Sequence, residues 1–232
     1  MQTNKEILAL VPAWNEAERI GAVLEVLVRD FPVLVVDDGS TDETAFVARQ
    51  IGCAVIEHSE NQGKGVALST GFNYALDQGY EAVLTIDADG QHDPHEASKF
   101  VQAFRQGEGD LIIGRRDFSK MPFIRRLGNS IGSWLLSRVL HVRIYDNQSG
   151  YRLHTRKLLK ALDLNRPGFE FEVDVVAQAV VKDLPVAWVD IRTIYSVDKK
   201  SYFHPVKDSL LFLEMVWQAR RSYERLRAQN GL

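Results

Sequence analysis

The sequence predicts an α/β fold in which a mostly parallel central sheet carries helices on both faces. Short apolar runs of β-prone residues alternate with segments of helical periodicity four times over about the first 115 residues, which is typical of parallel strands joined by crossover helices. The composition, with 45% hydrophobic and 25% charged residues, is that of an ordinary globular protein, and 232 residues suffice to bury a full core.

The elements of the first half follow from these runs. Buried strands are predicted at Ile7–Pro12, Val33–Val36, Cys53–Glu57, Ala82–Ile86 and Asp110–Gly114. Helices are predicted after Asn15-Glu16, after Thr41, over Gly65–Leu76 and near 94–105. Pro12 is expected to end the first strand, and Thr41 and Asp93 are expected to be the N-caps of the second and fourth helices.

The pattern changes after Arg115-Arg116, where we place a functional boundary. We expect one domain over 1–232, with a first part to residue 115, a second part over 116–204 and a C-terminal amphipathic helix within 205–232. The second part is expected to contain a helix from Phe123, a loop and short strand over Tyr145–Leu153, a helix over 168–182, a strand-like stretch at Leu184–Tyr195 and a basic loop at Ser196–His204.

Charge and cysteine content exclude several classes of protein. A net charge of −3 argues against a nucleic-acid-binding protein. The single cysteine, Cys53, lies in an apolar stretch, excludes an intramolecular disulfide and fits a reducing compartment. The start of the chain has no signal-peptide pattern, and no run approaches the roughly 18 apolar residues of a membrane span. We therefore expect a cytoplasmic protein whose membrane contact, at the inner surface, is peripheral.

The stretch Asp87-Ala88-Asp89 carries the first chemical signal. Two carboxylates two residues apart follow a buried strand, so both lie where open α/β sheets bind ligands. Such close carboxylates favour a hard divalent cation, Mg²⁺ or Mn²⁺, carrying a phosphorylated substrate. The alternative is an acidic turn that precedes the helix beginning near Pro94.

Two other strand ends are expected at the same edge of the sheet. Pro12 to Glu16 follow the first strand, and Asp37-Asp38 follow the second. An acid at the end of a nucleotide-binding strand commonly accepts hydrogen bonds from ribose hydroxyls or a base N–H, a role that fits Asp37 or Asp38. The alternative is that Asp37 to Asp42 only cap the next helix.

Four motifs together resemble a known enzyme family. They are Pro12-Ala-Trp-Asn-Glu16, Val35-Val-Asp-Asp-Gly-Ser-Thr-Asp42, Asn61-Gln-Gly-Lys-Gly65 and Asp87-Ala-Asp-Gly-Gln-His-Asp-Pro94. In order and spacing they resemble the family-2 inverting glycosyltransferases, and in particular the dolichol-phosphate or polyprenyl-phosphate mannose and glucose synthases. The resemblance extends over roughly residues 5–200. It implies a GT-A fold, a nucleoside-diphosphate sugar donor linked to UDP or GDP, and a Mg²⁺ or Mn²⁺ cofactor.

The resemblance also implies roles for individual residues of the donor site. Nucleotide contacts are expected from Pro12, Trp14, Glu16, Asp37, Asp38, Lys64, Asp87 and Ala88. Metal and diphosphate contacts are expected from Asp87, Asp89 and Gln91. Trp14 stands where the family more often has Tyr. The Gln-x-x-Arg-Trp signature of processive synthases is absent, which favours a single sugar transfer.

The second half supplies the expected acceptor site. Arg116 and Arg126 are candidates for binding a phosphate, because guanidinium groups bind phosphate bidentately, although a solvated basic helix face would look the same. Asp146 resembles the family's acceptor-side carboxylate: it would act as general base for a hydroxyl acceptor, or only orient an already ionised lipid phosphate. Weaker candidates for acceptor or diphosphate contacts are Arg115, Arg152, Glu172, Lys199 and Lys200.

More than one kind of acceptor, and more than one class of protein, were considered for these residues. A lipid phosphate or a hydroxyl of a soluble or glycan acceptor fits the motifs, and a homo-oligomer is compatible with the sequence. The basic end of the last helix could lie on an anionic membrane surface or pack on its own domain. A sugar nucleotidylyltransferase would need a Gly-rich basic loop after the first strand, and a receiver-like signalling domain would need its acid pair at the first strand rather than at Asp37-Asp38.

Overall fold

The computed structural model describes residues 6–117, 123–146, 149–164 and 171–192, and nine helical positions between 216 and 228. Of residues 123–129 it describes the backbone alone. Arg126 therefore lies in a described helix with an undescribed side chain, and Lys199 and Lys200 lie outside the described residues.

One sheet of seven strands forms the centre of the fold. In chain order the strands are β1 (Ile7–Ala13), β2 (Val33–Asp37), β3 (Ala54–Glu57), β4 (Ala82–Thr85), β5 (Leu111–Arg116), β6 (Arg152–Thr155) and β7 (Val186–Ile191). Their spatial order is β3-β2-β1-β4-β6-β5-β7. Only β6 runs against its neighbours, pairing antiparallel with β4 and β5, so the other six strands point the same way. The predicted mostly parallel sheet is confirmed.

Helices cover both faces of this sheet. They are α1 (Ala17–Leu27), α2 (Thr44–Gln50), α3 (Lys64–Gln78), α4 (Ala97–Arg105, after a 3-10 turn at Pro94–Glu96), α5 (Phe123–Leu140), α6 (Arg156–Ala161) and α7 (Phe171–Val181). Alternate residues of β1 point to opposite faces: Leu8 and Leu10 pack with α3, α6 and α7, whereas Ala9 and Val11 pack with α1 and α4. Because side chains of a strand alternate between its two faces, β1 contributes to two hydrophobic cores, one on each side of the sheet.

Two local expectations for the first half were wrong. Pro12 does not end β1, which continues to Ala13 with Pro12 in register with Val36 of β2. Proline is tolerated there because the pairing of β1 with β4 stops at Leu10, so no second neighbour needs the missing N–H. Thr41 is not the N-cap of α2: the helix begins at Thr44, whose N–H donates to Asp42 Oδ1 at 3.0 Å.

Other local expectations for this half are confirmed. Asp93 caps the 3-10 turn by accepting a hydrogen bond from the N–H of His95. Cys53 is buried, and burial raises the pKa of its thiol to about 11, which makes it an inert core residue at neutral pH.

The second half departs further from the sequence prediction. The strand predicted within 145–153 is the antiparallel β6, and α6, which follows it directly, was not predicted. The helix expected over 168–182 corresponds to α7 and the strand-like stretch expected over 184–195 to β7, with 168–170 and 193–195 outside the described residues. Each described position between 216 and 228 is helical, as expected. Among the described residues, no helix combines the length and apolar character needed to cross a membrane.

Candidate functional site

The carboxyl ends of β1, β2 and β4 open into a cleft of about 970 Å³. Because these strands are parallel neighbours, the residues that follow each of them meet at one edge of the sheet. Most of the predicted donor-site residues line this cleft, namely Pro12, Trp14, Glu16, Asp38, Lys64, Asp87, Ala88 and Asp89. The structure therefore brings together residues from four separated motifs.

The loop after β1 is held by the loop after β2. The backbone N–H groups of Asn15 and Glu16 donate to Ser40 Oγ and Thr44 Oγ1, each at 2.9 Å. In return, Asn15 Oδ1 accepts from the N–H of Thr41 at 2.8 Å, with Asn15 itself in a left-handed conformation at φ 53°. This exchange fixes the backbone directly after Trp14, which lines the cleft and is 53% exposed.

The two neighbouring carboxylates after β2 have different surroundings. Asp37 is buried, does not line the cleft, and accepts from the N–H of Ser40 at 2.9 Å. Asp38 lines the cleft and organises the loop before α3: its Oδ1 accepts from the N–H of Gln62 at 3.0 Å and its Oδ2 from that of Gly63 at 2.7 Å. Asp37 thus has the turn-capping role that the sequence left open, and Asp38 is the one placed to meet a ligand.

Asp87 sits at the centre of the site between a cation and a glycine. Its Oδ1 lies 2.5 Å from Lys64 Nζ, and its Oδ2 lies so close to Gly150 that a Cβ there would be 2.3 Å away. Burial alone would raise the pKa of Asp87, but the charges of Lys64, His92 and Arg152 outweigh it and hold that pKa below its usual range. Asp87 is therefore ionised at neutral pH.

Asp89 and Gln91 form the second part of the predicted metal site. Asp89 Oδ1 accepts from the N–H of Gln91 at 3.1 Å, and its Oδ2 accepts a short hydrogen bond from the Gln91 side-chain amide. Within the described residues, no group of three or more His, Cys, Asp and Glu side chains is positioned to hold a metal. The oxygens of Asp87, Asp89 and Gln91 suit a hard cation such as Mg²⁺ or Mn²⁺ whose remaining ligands come from a diphosphate.

Two of the expected acceptor-site residues, Arg116 and Asp146, form a buried bidentate ion pair. Arg116 Nε and Nη2 donate to the two oxygens of Asp146 at 2.6 and 2.9 Å, and the side chains are 11% and 1% exposed. The pair joins the end of β5 to the segment before β6. Each partner was predicted to act on substrate, and the structure adds that they bind each other.

The weaker acceptor-side candidates lie in three different environments. Arg115 points away from Arg116, as adjacent strand residues must, and pairs with Asp190 of β7 at 2.5 Å. Arg152 is buried beneath the site, where it donates to the carbonyl oxygens of Ser149 and Glu172 at 2.7 and 2.6 Å. Glu172 meets the donor side by accepting from Lys64 Nζ at 3.3 Å.

Sequence reasoning missed two histidines near this site. His58 binds Asp38 Oδ1 through Nδ1 at 2.7 Å and Thr70 Oγ1 through Nε2 at 3.0 Å. Its signal was its position directly after β3, one strand over from Asp38. His92 is buried against Tyr151, with no partner for its Nδ1 among the described residues.

Comparison with known proteins identifies the family. Residues 9–163 match the model of glycosyl transferase family 2. The polyprenol monophosphomannose synthase of Mycolicibacterium smegmatis is 29% identical over 82% of this chain and 78% of its own length. The undecaprenyl-phosphate mannosyltransferase of Micrococcus luteus is 30% identical over 79% of this chain and 84% of its own. The resemblance to the polyprenyl-phosphate sugar synthases is confirmed.

Solved structures agree on the fold. Glucosyl-3-phosphoglycerate synthase from Mycobacterium tuberculosis, crystallised with Mn²⁺, UDP and glucosyl-3-phosphoglycerate, superposes with a TM-score of 0.71 at 21% identity, covering 95% of this chain and 80% of that one. Since the family match spans more than half of the chain, the assignment does not depend on this distant likeness. The protein belongs to glycosyl transferase family 2 and is a glycosyltransferase with the GT-A fold.

Proposed function

We propose that this protein transfers one sugar, with inversion, from a UDP- or GDP-linked donor to a polyprenyl phosphate, using Mg²⁺ or Mn²⁺. The choice of a phosphate acceptor is supported by the hydrogen bonding of Asp146. Both of its oxygens accept hydrogen bonds from Arg116, so taking a proton from a hydroxyl acceptor would neutralise Asp146 and leave the largely buried Arg116 without this counter-charge. A phosphate acceptor is already ionised at neutral pH and needs no such base. The relatives named for polyprenyl-phosphate mannosylation support the same choice.

The residues of the cleft divide the work of holding the donor. Trp14 offers an exposed aromatic face against which a base can stack, and Glu16 and Asp38 offer acceptors for N–H and hydroxyl groups. Asp87, Asp89 and Gln91 would hold the cation with the diphosphate. When bound, the cation would neutralise the charge that develops on the leaving diphosphate. The structural neighbour crystallised with Mn²⁺ and UDP supports the use of a divalent cation together with a nucleoside diphosphate.

Arg116 would steer the acceptor phosphate for attack on the anomeric carbon. Its guanidinium has five donors, of which Nε and one hydrogen of Nη2 are directed at Asp146. Asp146 thus fixes the plane of the guanidinium that would bind the phosphate. The attacking oxygen then displaces the diphosphate from the opposite side of the sugar, which inverts the anomeric configuration.

An exposed aromatic and basic face supports access to a lipid acceptor. On α5, Ile131 and Trp134 are 48% and 58% exposed, and the Arg138 guanidinium lies 5.3 Å from the Trp134 ring. Aromatic side chains flanked by arginines suit the interface of an anionic membrane. We expect Trp134→Ser to weaken sedimentation with anionic vesicles. Phe46→Ser, which removes a 55% exposed side chain from α2 on the other face of the sheet, should leave it unchanged.

The decisive experiment measures transfer to matched acceptors. Purified protein is supplied with UDP- and GDP-sugars, Mn²⁺ or Mg²⁺, and either a short polyprenyl phosphate or the same polyprenol without its phosphate. We expect a glycolipid with the phosphate alone, its anomeric configuration opposite to that of the donor, and loss of product in Asp89→Ala. Transfer to the polyprenol or to a glycan hydroxyl, with none to the phosphate, would overturn the proposed acceptor.

A further inference from the structure

Lys64 lies between the two halves of the site, held by a carboxylate from each. It is the first residue of α3, and its Nζ lies 2.5 Å from Asp87 Oδ1 at the end of β4. On the other side the same Nζ lies 3.3 and 3.4 Å from the two oxygens of Glu172, near the start of α7. The lysine therefore bridges the end of a donor-side strand and an acceptor-side helix 108 residues away in sequence.

The surroundings of Asp87 leave little room to avoid this contact. Gly150 packs directly against Oδ2, so the carboxylate cannot retreat from Lys64 in that direction. A divalent cation bound at Asp87 would therefore meet the ammonium group at close range. Two cations on one carboxylate repel each other strongly at such distances in a partly buried site. The side chain of Lys64 is 41% exposed and flexible enough to move, whereas Asp87 is confined.

We propose that Lys64 and the divalent cation compete for Asp87, so that cation binding shifts the lysine away from Asp87 toward Glu172 and the donor diphosphate. This inference rests on the proposed metal-dependent donor site. It makes Lys64 a positioning residue: it holds the carboxylate ready before the cation arrives and supplies a positive charge to the diphosphate afterwards. It also gives Glu172 a role, as the acceptor-side carboxylate that receives the displaced lysine.

Through its contacts with Asp87 and Glu172, Lys64 would couple the binding of donor and cation to the acceptor half. The carbonyl oxygen of Glu172 accepts a hydrogen bond from Arg152 Nη1 at 2.6 Å, and Arg152 Nε is bonded to the carbonyl oxygen of Ser149. Movement of Lys64 changes the charge balance at Glu172, at the point where α7 is tied to the segment that carries Gly150. Binding of the donor and the cation would thus alter the charge and contacts of the residues where the acceptor is expected.

The test is the affinity of the full chain for Mn²⁺ without nucleotide, measured by calorimetry and by the EPR signal of free Mn²⁺. We expect Lys64→Met to bind Mn²⁺ about ten-fold more tightly, because the competing cation is gone. We expect Glu172→Gln to bind it more weakly, because Lys64 is then left to Asp87 alone. Lys157→Met, which removes an exposed lysine paired with Asp110, is the matched control and should change nothing.

A double variant distinguishes competition between Lys64 and Mn²⁺ for Asp87 from independent electrostatic effects of Lys64 and Glu172 on Mn²⁺ binding. If Glu172 acts through Lys64, then Glu172→Gln should have little effect in the Lys64→Met background, whereas independent field effects would add. With UDP or GDP present, Lys64→Met should bind nucleotide less tightly. Unchanged or weaker Mn²⁺ affinity in Lys64→Met, or strict additivity of the two substitutions, would overturn the competition. Wild-type protein that binds neither Mn²⁺ nor nucleotide would instead overturn the proposed function.

Discussion

The carboxylates of the two halves are held in place by different partners. In the donor half, Asp37, Asp38 and Asp89 accept hydrogen bonds from backbone N–H groups of the loops that follow the strands. In the acceptor half, Asp146 is held by the side chain of Arg116, which comes from another strand. The caps of Asp37 and Asp89 come from N–H groups two or three residues away, whereas Asp38 is held by the loop before α3, and an ion pair between side chains depends on the assembled fold. The proposed donor site is thus held mainly by backbone N–H groups, and the proposed acceptor site by an ion pair between side chains.

Removal of Arg116 is expected to have the largest effect, on the free energy of unfolding. Arg116→Met leaves the nearly fully buried Asp146 without its counter-ion, and we expect a loss of about 3–5 kcal/mol in the free energy of unfolding. Arg116→Met combined with Asp146→Leu should recover most of that stability while transfer stays lost. Denaturant unfolding and a transfer assay measure the two effects. Arg115→Met, which breaks the exposed pair with Asp190, should cost less than about 1 kcal/mol.

A second substitution tests whether the acceptor segment shapes the donor site. Gly150→Ala places a Cβ where Asp87 Oδ2 lies, so the carboxylate must move. We expect Mn²⁺-dependent nucleotide binding to weaken by about 10–100-fold, as for the loss of a residue that orients a metal ligand. Gly21→Ala on α1 meets only ordinary contacts at 3.7 Å and should leave binding intact. Unchanged binding in Gly150→Ala would show that Asp87 is not confined by its neighbour.

The backbone contacts of the proposed donor site are tested at Asp38. Asp38→Ala leaves the N–H groups of Gln62 and Gly63 without their acceptor, and we expect a loss of about 2 kcal/mol in stability together with weaker nucleotide binding. Glu57→Gln, at the exposed pair with Arg49, is the control and should change stability by less than about 0.5 kcal/mol. A stable Asp38→Ala protein with normal nucleotide affinity would contradict the assignment.

The smallest expected effect is a pH dependence that originates in β6. Burial lowers the pKa of His154 to about 3, so the unfolded chain binds this proton before the folded protein does. Stability should therefore fall as the pH drops below about 6.5, by at most about 1.4 kcal/mol per pH unit from this group. His154→Gln should flatten the dependence of the melting temperature between pH 6.5 and 4.5, relative to the exposed His95→Gln. An identical slope in both variants would argue against a neutral buried His154.

The same contrast explains which features could be predicted from the sequence. The acids after β1, β2 and β4 converge because parallel strands end at one edge, and that rule needs only the strand pattern. A short strand was predicted within 145–153, but its antiparallel course could not be, because no local pattern shows that β6 pairs with β4 and β5. The burial of Arg152 is stabilised by the distant carbonyl of Glu172, which no local pattern shows. By contrast, α6 had a readable signal, since Thr155 accepts from the N–H of Leu158 as an N-cap.

Pairings between distant segments were equally hidden. The contact of Lys64 with Asp87 and Glu172 joins two of the four motifs to a residue outside all of them. The roles of the individual site residues stay predictions until the variants are measured. The opposite orientation of Arg115 and Arg116 could have been anticipated, because adjacent residues of a strand point to opposite faces.

The position of β6 makes it difficult to exchange the two halves of the chain between related proteins. Since β6 comes late in the chain yet lies between β4 and β5, a cut near residue 117 would leave a gap in the sheet of the first fragment. The second fragment would hold two strands without partners, β6 and β7. The fragments could recombine only by threading β6 into that gap, so exchange of whole halves between relatives is a poor route to new acceptors. Acceptor preference can be altered more easily through α5, α7 and the connecting loops, which change without unpairing a strand.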